Sequence, residues 1–228
     1  VTRAVTLPHL AGHKPPSSHI WPPSSHIWLP PSPIWQVRDV SASMDGDRSR
    51  WASAVAAATI AMSRARALQV GLLEFNHQVL LPPGGGAPSG GASFFSFDYD
   101  AATSRTQRLW ADGGTDIQSA LRATLEQYAR SGTSAAGRPA APSSHALLLT
   151  DGAPTRGSAT WADEGRAAQL LGVAIHTVYI GSSRDDAYPE QLARLAALTG
   201  GVCYQAVIDG AGTLELHDRS HDRIVATR

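Results

Sequence analysis

Two aspartates, two serines and a threonine are the residues whose types and spacing can do chemistry. Asp39, Ser41 and Ser43 lie within Asp39-Val40-Ser41-Ala42-Ser43, Thr115 follows Gly113-Gly114, and Asp151 precedes Gly152 just after the apolar run ending at Thr150. Each aspartate falls where a strand-like stretch ends. If those strands are neighbours, at roughly 4.8 Å spacing, the two carboxylates face a common volume. Like charges that close repel, so one must stay protonated unless a cation sits between them. The other groups on offer are hydroxyls, from Ser41, Ser43 and Thr115, with no Cys or His among them. Carboxylate and hydroxyl oxygens are hard donors and suit Mg²⁺ or Mn²⁺ far better than zinc. Two negative charges and one dication sum to about zero, so one coordination position can accept an acidic group from outside. Each piece also has a plain structural reading. Ser41 or Ser43 can cap a following helix, Asp39 can close an Asx turn, Thr115 can be an N-cap, and Asp151-Gly152 can be a simple turn. Joint placement, three clusters in order along one expected sheet edge, favours the metal.

The elements that must position these residues alternate between strand and helix. Ile34–Asp39 reads as a short strand and Ser41–Arg48 as a loop. Trp51–Ala67 follows as a helix, with Trp51, Val55, Ala58 and Met62 at helical spacing. Leu68–Phe75 is a strand, and Gln78–Leu81 a second one after a tight turn at Asn76-His77. Glycines punctuate a loop from Pro82 to Gly91, and a short helix is expected over Ala101–Trp110. Thr115–Arg130 is amphipathic, with Ile117, Leu121, Leu125 and Tyr128 on one face. Residues 131–144 form a small-residue loop. Ala146–Thr150 reads as a strand buried on both faces, Trp161–Leu171 as a helix, Val173–Ile180 as a strand, Pro189–Leu198 as a helix and Val202–Val207 as a last strand. This order predicts an α/β fold: a doubly wound, Rossmann-like, mostly parallel sheet with helices on both faces and one antiparallel edge strand. Ligands of such a sheet sit beyond the carboxyl ends of the strands, at the switch point, which is where the three clusters fall.

Three segments follow from composition. Residues 1–33 are a proline-rich, low-complexity tail in which Pro-Pro-Ser-Ser-His-Ile-Trp occurs twice in succession from Pro15, with a degenerate third copy from Pro30. Paired prolines remove donors needed by helices and ladders. Residues 34–209 form the domain, and 210–228 are a C-terminal tail whose structure the sequence leaves open. Lys+Arg and Asp+Glu balance at 19 each, so no basic excess points to nucleic acid. The sole lysine is Lys14, in the tail, which removes lysine-based catalysis from the domain. Cys203 is the sole cysteine and forms no intrachain disulfide. No stretch approaches the ~20 apolar residues of a membrane span. The first residues lack the charged-then-apolar order of a secretory leader, and cytoplasmic residence is the expectation. No G-x-S-x-G elbow or G-x-x-x-x-G-K-[ST] loop is present, and no catalytic residue is assigned. His77, His145 and His176 are read as scattered, and Trp110 and Trp161 as core residues rather than partner contacts.

The three clusters together resemble the metal-ion-dependent adhesion site of von Willebrand factor type A domains. Ile175–Gly181 and Leu195–Gly201 look like later elements of that family, and the resemblance covers about residues 34–207. It implies a Mg²⁺ held directly by Ser41, Ser43 and Thr115, with Asp39 and Asp151 acting wholly or partly through bound water. A carboxylate from a protein partner would complete the shell. The function implied is a Mg²⁺-dependent protein-binding module and not an enzyme. In bacteria, such domains often pair with AAA+ ATPases of the MoxR or metal-chelatase kind, and the Ala- and Arg-rich composition fits a bacterial chain. Two alternatives remain. One is a Mg²⁺-assisted phosphohydrolase, although Ser41 stands where a second acid is needed and no domain lysine can steady a phosphoryl group. The other is a scaffold domain with an impaired site, because Gln36 and Arg38 share one face of a strand that should be apolar. Arg38 must then reach solvent or a carboxylate.

Overall fold

The computed structural model describes residues 33–80, 97–130, 144–152, 154–158, 160–181, 188–208 and 214–219. The repeat tail, the glycine loop at 82–91 and residues 131–143 lie outside the described residues. The chain runs β1 (Ile34–Asp39), a single 3-10 turn (Ala42–Met44), α1 (Asp47–Ala65), β2 (Val70–Phe75), β3 (Val79–Leu80), α2 (Tyr99–Thr106) and α3 (Ile117–Arg130). It continues with β4 (Ser144–Thr150), α4 (Ala162–Leu171), β5 (Val173–Ile180), α5 (Tyr188–Thr199), β6 (Cys203–Ile208) and β7 (Leu214–Asp218). The seven strands lie in the order β3-β2-β1-β4-β5-β6-β7. β2, β1, β4, β5 and β6 are mutually parallel, and β3 and β7 close the two edges antiparallel. β3 is the antiparallel edge strand expected from the sequence, whereas β7 forms within the stretch left undetermined there. Among the described residues, no helix is long and apolar enough to cross a membrane.

Burial explains both layers. On one face Trp35 and Val37 of β1 join Leu73, Phe75, Ala146 and Leu148, covered by α3, α4 and α5 through Leu121, Leu125, Ala168, Leu192 and Leu195. Trp35 needs room that only glycine supplies: a Cβ on Gly71, its register partner in β2, would sit 2.5 Å from the indole. The opposite face packs Leu149, Val178 and Ile180 against Trp51, Ala52 and Ala56 of α1, with Met44 from the 3-10 turn. α1 begins at Asp47, four residues before the expected start. Apolar periodicity marks a helix only from its first apolar residue, while the helix backbone already forms in the polar turn ahead of it.

The polar face of β1 is resolved by pairing rather than by exposure. Arg38 is wholly buried and lies 3.5 Å from the Glu74 carboxylate on the neighbouring strand. Arg105 of α2 binds the other oxygen of Glu74 at 2.9 Å. Arg38 also donates to Ser53 Oγ, to the Thr106 carbonyl at 2.7 Å and to the Arg108 carbonyl at 3.0 Å. Those carbonyls belong to the end of α2 and the residues just after it, where a cation is favoured by the helix dipole. Gln36 donates to the Ala56 carbonyl of α1 at 3.1 Å. The two residues that look misplaced in the sequence therefore fasten β1 to α1 and α2.

Candidate metal centre

The site forms where the winding of the sheet reverses. The chain crosses from β1 to β2 on one side and later returns to place β4 on the other side of β1. β1 and β4 are thus neighbours, with Arg38 opposite Leu149, so Thr150 stands beside Asp39 and Asp151 follows one residue beyond, near enough for its charge to act on Asp39. This is the crevice in which doubly wound sheets bind ligands.

Both carboxyls are taken out of water, Asp39 being 1% and Asp151 7% exposed. Asp39 Oδ1 accepts the Ser41 backbone N–H at 2.8 Å, which closes an Asx turn, and Oδ2 accepts the Thr150 hydroxyl at 2.6 Å. Burial pushes the Asp39 carboxyl up to about 6; the Thr150 and Ser41 hydrogen bonds oppose this and the neighbouring Asp151 charge adds to it. Asp151 is also raised by burial, against the Ser43 hydroxyl and Arg48. Its Oδ2 lies 3.1 Å from Arg48 Nη1, while its buried Oδ1 has no hydrogen-bond partner. A buried carboxylate oxygen without a partner is costly unless something outside the protein satisfies it.

The hydroxyls are not used up as caps. Ser41 precedes the 3-10 turn and makes no side-chain cap bond, its Oγ lying 3.1 Å from Ser43 Oγ, and Gly46 is the N-cap of α1. Ser43 is exposed, whereas Ser41 is buried. Asp116, not Thr115, caps α3: its carboxylate accepts the Ser119 backbone N–H at 2.9 Å and the Ser119 hydroxyl at 2.8 Å. The capping explanations for Ser41 and Thr115 therefore fall away, while the Asx turn of Asp39 is real.

Thr115 is brought to the aspartates by backbone bonds on both sides. Asp112 N donates to Val40 O and Ala42 N to Gly113 O, both at 3.0 Å, which stitches the 112–115 segment to the loop after β1. From the β4 side, Thr155 N and Arg156 N donate to Thr115 O at 2.9 and 3.2 Å, and Thr115 N donates to Thr155 Oγ1 at 2.8 Å. Asn76 braces the same segment through its side chain to Asp112 O and its carbonyl to Asp116 N. The paired glycines are obligatory here. Gly113 has φ of +75° and its Cβ would fall 2.2 Å from His77 Nδ1; a Cβ on Gly114 would fall 2.2 Å from Thr155 Oγ1.

Residues Asp39, Ser41, Ser43, Thr115 and Asp151 thus come from three loops knitted into one another. Among the described residues, no group of three or more His, Cys, Asp or Glu side chains is placed to hold a metal ion. Any cation taken up by the two aspartates would complete its shell with neutral oxygens, from hydroxyls, backbone carbonyls or water. Three further residues shape this neighbourhood. Thr150 offered one signal, a hydroxyl closing an apolar run beside an aspartate; Thr155 and Arg48 offered none, since their contacts span 40 and 103 residues. Two other expectations are corrected. His145 and His176 are not scattered: their rings meet edge to edge across β4 and β5, Nδ1 to Nε2 at 2.9 Å. Trp161 is fully buried as expected, but Trp110 is 41% exposed beside the 112–115 segment.

Comparisons with known proteins agree with this architecture. A solved structure described as von Willebrand factor type A from Catenulispora acidiphila superposes with a TM-score of 0.54 at 23% identity, over 79% of this chain and 39% of that one. The present chain therefore spans well under half the length of that protein. The vWF domain of the type V pili tip protein Mfa5 from Porphyromonas gingivalis superposes with a TM-score of 0.59 at 13% identity, covering 78% of this chain and 90% of that one. At such identities the likeness is one of fold. A comparison with curated proteins finds no match. The model of the von Willebrand factor type A domain matches residues 34–205, most of the chain, and the protein belongs to that family.

Proposed function

We propose that this chain is a Mg²⁺- or Mn²⁺-dependent protein-binding module that captures an acidic side chain of its partner, and that it is not an enzyme. Domains of this family are commonly interaction modules, and the finer reading rests on one observation: two buried aspartates lie at the ends of neighbouring strands, close enough to feel each other's charge, and one buried oxygen, Asp151 Oδ1, has no partner. The donor chemistry suits a hard dication. Ser41, Ser43 and Thr115 supply neutral oxygens, and Asp39 and Asp151 supply charge, directly or through water. When bound, the ion would neutralise the two carboxylates and offer a position to a carboxylate from outside. The chain's own part is to hold the donors in place: Thr150 and the Ser41 backbone fix Asp39, and Thr155 fixes Thr115. A hydrolase is disfavoured because the residue two after Asp39, where its second acid is needed, is the hydroxyl Ser41.

Calorimetry tests the reading. Mg²⁺ titrated into the chelator-treated protein should release or absorb heat at one site and raise the melting temperature, since a ligand of the native state must stabilise it. Asp39→Ala and Ser41→Ala should abolish both effects while the far-ultraviolet spectrum stays that of the parent. A protein that melts identically in Mg²⁺ and in chelator would refute the reading. A pull-down performed with and without chelator then identifies partners retained only with metal.

A further inference from the structure

Arg48 stands in the first turn of α1 and reaches the centre across 103 residues of sequence. Its Nη1 donates both to Asp151 Oδ2 at 3.1 Å and to the Ser43 carbonyl at 2.9 Å. Its side chain is 38% exposed, so it lies at the rim with one end in the site and one in water. Among the described residues, Nε and Nη2 of Arg48 make no hydrogen bond. Among the described residues no other cation forms an ion pair with Asp39 or Asp151: Arg50 pairs with Asp47 on the surface, and Arg38 and Arg105 pair with Glu74 beneath β1.

The charge count of the site therefore differs from the one the five donors give alone. Two aspartates and one guanidinium leave a single negative charge, and a bound dication turns that into a single positive charge. We propose that Arg48 sets the ligand preference of this centre: it weakens the hold on the dication and leaves the loaded site with a surplus positive charge that selects an anion. One incoming carboxylate brings the total to zero. Without Arg48 the loaded site would be neutral, and an arriving carboxylate would be drawn by the ion's open position alone. The guanidinium also suits the second oxygen of such a group, because its donors form a planar fork that matches a carboxylate. The inference rests on the metal reading above and adds the feature that distinguishes an acidic ligand from a neutral one. It also couples the two binding events, since metal and carboxylate each relieve the charge imbalance left by the other.

The test uses Mg²⁺ alone and acetate as the carboxylate probe, with the parent protein, Arg48→Gln and Arg48→Lys. Calorimetry in chloride buffer should show Mg²⁺ binding to Arg48→Gln on the order of tenfold tighter than to the parent, the repulsion of a partly screened neighbouring charge. Arg48→Lys, which keeps the charge, should stay close to the parent. Excess acetate should tighten Mg²⁺ binding to the parent and to Arg48→Lys more than to Arg48→Gln. A purely structural Arg48 would move both ligands the same way, so weaker Mg²⁺ binding to Arg48→Gln, or equal affinity in all three proteins, overturns the inference and leaves the metal reading intact. Absence of binding in all three overturns the metal reading and the inference with it. Melting curves in chelator establish that each variant is folded before it is titrated.

Discussion

Glu74→Gln tests whether the polar face of β1 is held by charge pairing. Arg38 is wholly buried and Glu74 is 3% exposed, so neither can turn to water when its partner is lost. The substitution keeps the volume and removes the charge that Arg38 faces at 3.5 Å and Arg105 at 2.9 Å. Breaking a buried pair from one side costs roughly 3–5 kcal/mol, because the remaining ion stays desolvated. Part of this is recovered here, since Arg38 keeps the Thr106 and Arg108 carbonyls and Arg105 keeps the Leu80 carbonyl. The lower end, about 3 kcal/mol, is the expected loss. For a domain of this size it corresponds to a fall in melting temperature of about 6–12 °C. Urea denaturation gives the same quantity from the shift in midpoint at constant slope. The double variant Arg38→Met, Glu74→Leu should recover the part of the loss due to the buried Arg38 charge, the remainder being the loss of the Arg105 partner. A Glu74→Gln protein within about 1 kcal/mol of the parent, or a double variant that loses the sum of its singles, would show that the network is not coupled as described.

Other expectations are independent of that network. Gly114→Ala places a Cβ 2.2 Å from the Thr155 hydroxyl that holds Thr115; it should cost ~1–3 kcal/mol in a denaturant melt and remove any Mg²⁺-dependent rise in melting temperature. In chelator, Asp39 has a folded pKa raised from 3.8 to about 6, so its contribution to stability is present at low pH and is lost as pH rises through about 6. Asp39→Asn should abolish that loss, making the metal-free variant more stable than the parent at neutral pH in thermal melts. His176 runs the other way: burial, with the nearby His145, lowers it from 6.5 to about 4, so stability present above 6.5 is lost as pH falls toward 4. His176→Gln should flatten that acid limb. The two titrations oppose each other over the same range, and only the variants separate them.

Local pattern was enough for the strand–helix alternation, because burial on both faces of a parallel strand leaves runs such as Ala146–Leu149, and one-sided burial leaves a helical stripe such as Ile117, Leu121 and Leu125. The positions of the polar residues at the ends of β1 and β4 and before α3 were legible for the same reason: a polar residue where an apolar run stops must face the sheet edge. Chain order alone did not say that β1 and β4 are neighbours, and that adjacency is what brings Asp39 beside Asp151. Nor could it decide whether the hydroxyls cap helices, which turned on Gly46 and Asp116 taking the cap positions. Arg38 and Arg48 show the limit most clearly. A charged residue carries no local mark of its partner, so burial beside Glu74 in one case, and reach to Asp151 from a helix far along the chain in the other, emerge only when packing brings distant segments together.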